Sequence, residues 1–292
     1  MKPGHWIWIC LALAACHASP QSPFAVSNTF APAKSLGKVD AKIEEASGLV
    51  ASAVNEGMFW TLNDSGHDPE LYLIDQKAET RMVCRLANID NRDWEDIAIA
   101  EDPSNGLTYL YVADIGDNLS QYETKLIYRL REPRLGDKKK MMIEEFDTLE
   151  VALSDGVHDT ETLMIDPIQR DLVLISKWED SVRVYTVKFP YPTKTTAALQ
   201  LKLPMYKIVA GDISVDGREI LLKDYEHVYY WQRHGEETVI NTLSRPPVRL
   251  PYKREPQGEA IAFARDGSGY YTLSESTKKK KAELLFYQRK AQ

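Results

Sequence analysis

Glu95, Glu161 and Glu259 each head a short apolar run: Glu95-Asp96-Ile97, Glu161-Thr162-Leu163 and Glu259-Ala260-Ile261. Ser47-Gly48-Leu49 and Gly211-Asp212-Ile213 open two further runs in the same way, with a small or acidic residue, any residue, then an aliphatic one. If the five runs repeat one unit, their first residues share a structural position and three carboxylates converge. Carboxylates brought together repel, and each raises the pKa of the others unless a cation sits among them. A hard divalent ion answers that repulsion, and Ca2+ accepts roughly six to eight oxygens in loose geometry. Around it the Ser47 hydroxyl and the Gly211 carbonyl, or the Asp212 carboxylate, are candidates to complete a shell begun by the three glutamates. A metal-free alternative stays open, in which these glutamates accept hydrogen bonds from backbone N–H groups of neighbouring strands.

A second set of residues falls in polar loops expected on the same side of the fold. They read Asn63-Asp64-Ser65-Gly66, Asp114-Ile115-Gly116-Asp117-Asn118, Ser176-Lys177-Trp178-Glu179, Lys223-Asp224-Tyr225-Glu226 and Ser274-Glu275-Ser276. Acidic groups that orient a water, here Asp64, Asp114 and Asp117, beside lysines that neutralise an anion, here Lys177 and Lys223, suit phosphoryl hydrolysis over a metal. Ordinary Asp/Asn/Gly turn chemistry accounts for the same residues one loop at a time. The histidines have no metal-ligand spacing; His67, His158 and His227 fall near the same loops, where solvated roles are expected.

The elements that must position these groups are strands. Long 3.6-period apolar stretches are scarce, and short Val/Ile/Tyr/Leu runs alternate with Gly, Asp, Asn and Pro, the all-β signature. The runs recur at roughly fifty residues, the period of propeller blades. After each opening strand comes a second: Met58–Leu62, Thr108–Ala113, Asp171–Ser176, Glu219–Lys223 and Gly269–Leu273. The third strands are Leu71–Asp75, Lys125–Leu130, Val182–Val187, His227–Trp231 and Glu283–Gln288, and Thr148–Leu153 and Thr238–Leu243 suit outer fourth strands. The reading is an all-β propeller of five blades, with a sixth possible in the long interval between Glu95 and Glu161. The last blade lacks its outer strand, which the stretch from Ala25 to Lys38 is expected to supply.

Composition narrows the function. The formal charge of −7 over 292 residues gives no case for nucleic acid. The runs Lys138-Lys139-Lys140 and Lys278 to Lys281 read as solvated loops, and Cys84, in an apolar alternation, as a buried thiol with no disulfide partner. The chain opens with a basic start and about ten apolar residues, too short for a membrane span and right for a signal peptide over residues 1–15. Leu13-Ala14-Ala15-Cys16 resembles the lipobox of bacterial lipoproteins, which implies cleavage before Cys16 and lipidation of that cysteine. His17 rather than Asp follows, which leans toward the outer membrane. Residues 16–24 then read as a lipidated tether and 25–292 as a single domain, a monomer held at the cell envelope.

The mature domain also resembles the calcium-activated nucleotidases (apyrases), five-bladed propellers with one Ca2+ on the axis. That family places Ser, Glu, Glu, Ser and Glu from successive blades around the ion, where this chain has Ser47, Glu95, Glu161, Gly211 and Glu259, a departure in the fourth blade. Its catalytic Asp falls at Asn63-Asp64 and a lysine of the family at Lys223; its phosphate-binding arginines have no clear match, Lys177-Trp178 standing at that place. The resemblance implies a phosphate-ester or nucleotide hydrolase with Ca2+ as cofactor and a small phosphorylated molecule as substrate. Six-bladed phytase-like and lactonase-like propellers also line their channels with acidic residues. The alternative is a non-enzymatic propeller that binds a glycan, peptide or envelope partner and uses calcium structurally.

Overall fold

The computed structural model describes residues 24–278 and 280–291. The expected signal segment, Cys16 and all of the tether before Phe24 lie outside the described residues, as does Lys279 of the second lysine run. No helix among the described residues is long and apolar enough to cross a membrane.

The chain begins with β1 (Lys34–Lys38) and then lays down up-and-down sheets. The first contains β2 (Ala46–Ala51), β3 (Met58–Asn63), β4 (Glu70–Asp75) and β5 (Thr80–Leu86). The next run is β6 (Trp94–Glu101), β7 (Thr108–Asp114), β8 (Thr124–Arg131), β9 (Lys140–Ile143) and β10 (Asp147–Leu153). Of these, β9 crosses back to pair in parallel with β5, and β10 becomes the outer partner of β8. These two account for the long interval before Glu161. β11 (Thr160–Ile165), β12 (Leu172–Ser176), β13 (Val182–Val187) and β14 (Lys194–Leu203) follow, with β14 joining β10 edge to edge. β15 (Ala210–Ile213), β16 (Glu219–Lys223), β17 (Val228–Gln232), the short α1 (Val239–Leu243) and β18 (Val248–Leu250) come next. The chain closes with β19 (Ala260–Phe263), β20 (Gly269–Leu273) and β21 (Glu283–Gln288).

The inner strands β2, β6, β11, β15 and β19 touch in that order, and β19 touches β2 again. They therefore ring a central channel, with each sheet running outward from it. The chain is a β-propeller. Its ends meet as expected: β1 pairs antiparallel with β21, Lys34 opposite Phe286, and supplies the outer edge of the last sheet. Thr238–Leu243 corrects the expected outer strand there. The Thr238 Oγ accepts the Asn241 N–H at 3.0 Å and caps a helical turn, so β18 is the edge instead.

Burial follows radius. β2, β11, β12 and β20 are buried at every position because both faces are covered by neighbouring sheets, whereas the outer β14 alternates between buried and exposed. Between the first two sheets Trp60, Leu71, Ile97 and Val112 are 3% exposed or less, and between the last and the first Leu49, Ile74, Leu273 and Leu284 are 1% or less. Each such side chain contributes about 1.5–3 kcal/mol by leaving water. Cys84 lies in this packing, fully buried, and burial pushes its thiol up to about 12.

Candidate metal centre

The start of each inner strand sets which side chain reaches the channel. In β2, β6 and β11 the register with the second strand slips by one residue, between Ala46 and Gly48, Trp94 and Asp96, and Thr160 and Thr162. The extra residues are Ser47, Glu95 and Glu161. Bulges of this kind re-aim a side chain and increase local twist. β15 has no slip: Ala210 faces Lys223 and Gly211 faces Leu222 in continuous register. Gly211 therefore matches Gly48, Asp96 and Thr162, not the channel residues. A Cβ on it would run into Leu222 Cδ2 at 2.7 Å and Thr162 Cγ2 at 2.9 Å. β15 thus lacks a bulged residue at the position that Ser47, Glu95 and Glu161 occupy. Asp212 is also displaced: its carboxylate accepts the N–H groups of Ile213 at 2.8 Å and Phe263 at 2.7 Å, bracing β15 against β19.

The three glutamates fall in three different arrangements. Asp64, Asp93 and Glu95 bring carboxylate oxygens within 4.8 Å of one another, and Asp64, Glu259 and Glu275 do the same. Asp64, on the loop after β3, belongs to both groups and joins them. Glu161 instead accepts a hydrogen bond from Lys177 Nζ at 2.7 Å, with both groups buried. Its second oxygen, and Asp159 Oδ2 nearby, are buried with no partner among the described residues. Ser47 donates its hydroxyl to the Trp94 carbonyl at 2.8 Å, tying β2 to β6.

The electrostatics record the crowding. Burial, then the neighbouring Glu161, Asp64 and Asp93, hold the Glu95 carboxyl well above the usual carboxylate range. Burial followed by Asp64 and Asp159 pushes Asp93 up to about 7. Burial followed by Glu259, Glu45 and Asp64 pushes Glu275 up to about 8. Burial also raises Glu161 to about 8, against the pull of Lys177. Burial opposes the charge on Lys177, but Glu161, Tyr225, Glu95 and Glu259 together keep its pKa above the ordinary lysine value. Tyr225 completes the rim by donating its hydroxyl to Glu259.

Two expected catalytic groups are elsewhere. Asp114 is fully buried, accepting the Asp93 N–H at 3.0 Å and the Tyr128 hydroxyl at 3.2 Å beside Arg92, so it braces the Asp93 backbone and does not line the mouth. Lys223 is also fully buried and donates to the carbonyls of Gly258 and Asp224, and burial lowers its pKa to about 8. Asp117 caps a turn through the N–H groups of Gln121 and Tyr122 and pairs with the buried Lys125. His67, His158 and His227 each stand beside a carboxylate: Glu45, Glu179 and Asp224 respectively.

Asp93, Asp159 and Glu275 were not among the residues expected to act. A signal for the first two is present, since Asp93-Trp94-Glu95 and Asp159-Thr160-Glu161 repeat an Asp two positions before the channel glutamate. Gly116 shows how tightly the first group is enclosed: a Cβ there would collide with Glu95 Oε1 and meet Asp93 Cγ at 2.5 Å. The donors gathered at the mouth are all carboxylate oxygens, without a thiolate or imidazole, a set that matches a hard cation such as Ca2+.

No family model matches the chain, and no curated protein matches it. Among solved structures it is similar to one described as "Structure of Dos1 propeller", at 11% identity and a TM-score of 0.41, over 83% of this chain and 68% of that one. It is also similar to one described as "Crystal structure of Nidogen/Laminin Complex", at 11% identity and a TM-score of 0.46, over 80% and 73%. Neither likeness bears on the mouth.

Proposed function

We propose that this chain is an exported, lipid-anchored propeller of the bacterial cell envelope that holds one Ca2+ at its acidic mouth and uses that face to bind a ligand. The observation that carries the reading is the placement of Asp64, whose carboxylate lies within 4.8 Å of those of Asp93 and Glu95 in one group and of Glu259 and Glu275 in another. Asp93, Glu95 and Glu275, whose carboxyls are raised first by burial and then by their acidic neighbours, gain most from a cation. Ser47 and the oxygen of Glu161 that has no partner among the described residues are the further donors this reading calls on, with Lys177 offsetting part of the charge. Calcium outside the cytoplasm reaches about 1 mM, enough to fill even a modest site. The test is a melting curve of the purified full chain near pH 7.5, in EDTA and in calcium. We expect calcium to raise the midpoint, and coincident curves would overturn the proposal.

A non-enzymatic role, with a glycan, peptide or envelope component as ligand, has more support than hydrolysis. Asp114 and Lys223, two of the four groups that hydrolysis would draw on, are spent on structure. The hydrolase reading keeps one specific support, the partly exposed Asp64 carboxylate at the ion site. It requires calcium-dependent phosphate release from nucleotides or phytate, abolished in Asp64→Asn. No turnover in either metal state would remove it. The lipid anchor has its own test: Cys16→Ser should move the protein from the membrane fraction to the soluble one.

A further inference from the structure

The channel has a second mouth, built from the opposite ends of the same inner strands, and its chemistry is different. A cavity of about 310 Å3 opens there. Part of its lining is apolar: Ala98 and Ala100 from β6, Ile165 from β11, Ile213 from β15 and the Tyr191 ring, among polar groups. Ala53, just past β2, and Arg265, just past β19, bring the remaining two sheets to the same space. Ala98, Ile165 and Ile213 are 6–7% exposed, so what little of each remains uncovered is available to this cavity.

The charges around this cavity are sorted. Asp166 is held by Arg233 through two bonds of 2.7 and 2.8 Å, and Asp102 is paired with Arg129. Asp212 is capped by two backbone N–H groups. Glu101 lies exposed at the rim. Arg170, partly buried on the turn after β11, and Arg265, exposed on the turn after β19, also line the cavity. Neither guanidinium makes a hydrogen bond or close ion pair among the described residues, although the charge of Arg170 acts on Asp102 and that of Arg265 on Asp212. Two guanidinium groups free of hydrogen bonds among the described residues, over a pocket of ligand size with mixed polar and apolar walls, form a recognisable combination. The arginines supply charged donors for a carboxylate or phosphate, and the apolar part of the lining removes an aliphatic or aromatic body from water.

We propose that this second mouth binds a small amphiphilic anion, its charged head between Arg170 and Arg265 and its apolar body on Ala98, Ile165 and Ile213. The site is independent of the acidic mouth and does not need calcium.

Calorimetric titration of the full chain with octanoate tests this, with octanol and octylamine as neutral and cationic counterparts. Octanoate should bind at least about tenfold more tightly than either, the effect of one charge-assisted hydrogen bond. Octyl phosphate in the same titration separates a carboxylate ligand from a phosphate one, and binding of either anion supports the site. Arg170→Ala and Arg265→Ala should each weaken octanoate about tenfold and leave the melting temperature in place, because neither side chain is fully buried. Asp64→Asn and EDTA should leave octanoate affinity unchanged. Absence of binding by both anions, equal binding of the three octyl compounds, or retained affinity in the Arg170→Ala/Arg265→Ala double variant would overturn the proposal.

Discussion

Asp93→Asn should stabilise the calcium-free protein and destabilise the calcium-bound one. Asp93 titrates near 7 in the fold against an ordinary 3.8, so the folded state favours the protonated form. A group raised in this way supports the fold fully below its unfolded pKa and loses that support as pH rises to the folded value. The loss accumulates between about pH 4 and pH 7 and is complete by about pH 8. Three pKa units correspond to about 4 kcal/mol. Because Asp93 keeps some contact with solvent, roughly half of that is expected, or about 2 kcal/mol at pH 8. For a domain of this size each kcal/mol moves the midpoint by about 2–4 °C. Asn keeps the shape of Asp and removes the charge, so in EDTA at about pH 8 the variant should melt roughly 4–8 °C above wild type. The gap should close toward pH 4. In millimolar calcium the order should reverse, because the variant has lost a charged ligand. A variant that melts below wild type in EDTA at pH 8, or a gap that does not change with pH, would refute the reasoning.

Three further outcomes follow from the same geometry. Lys177→Met removes the partner of the buried Glu161 and should cost about 3–5 kcal/mol in EDTA, read by urea unfolding. Gly116→Ala places a methyl group against Glu95 and Asp93 without touching a ligand atom's chemistry, and it should weaken calcium binding by about tenfold or more. Lys223→Met should lower stability, because it leaves the Gly258 and Asp224 carbonyls without their donor, while calcium affinity stays within about twofold of wild type.

The strand pattern was legible in the sequence because it rests on local alternation and turn residues. Val182–Val187, Glu219–Lys223, Gly269–Leu273 and Glu283–Gln288 read from the sequence are strands with those bounds. Thr238–Leu243 was misread because a Thr cap followed by Val and Ile serves a strand or a helical turn equally, and only its packing under Trp231 decides. At the mouth, Glu95 and Glu259 were singled out by repeat position and Asp64, as a catalytic group, by the loop after β3; the fold brings Asp64 near each of the two glutamates. The places of Gly211 and Asp212 were not legible, since the presence or absence of a bulge is a matter of register between two strands and leaves no mark in one strand's composition. Asp114 and Lys223 were misplaced for a related reason. A polar residue at the end of a second strand can turn toward the channel or back into the sheet, and the partners that turn them back, Tyr128 and Gly258, are distant in sequence.

Calorimetric titration of calcium into the purified full chain, with Asp64→Asn in parallel, tests the metal centre most directly. One ion per chain is predicted, with a dissociation constant of about 10⁻³ M or tighter, and it should be lost when the carboxylate common to both acidic groups becomes an amide. No binding by wild type, or equal binding by the Asp64→Asn variant, would contradict the account.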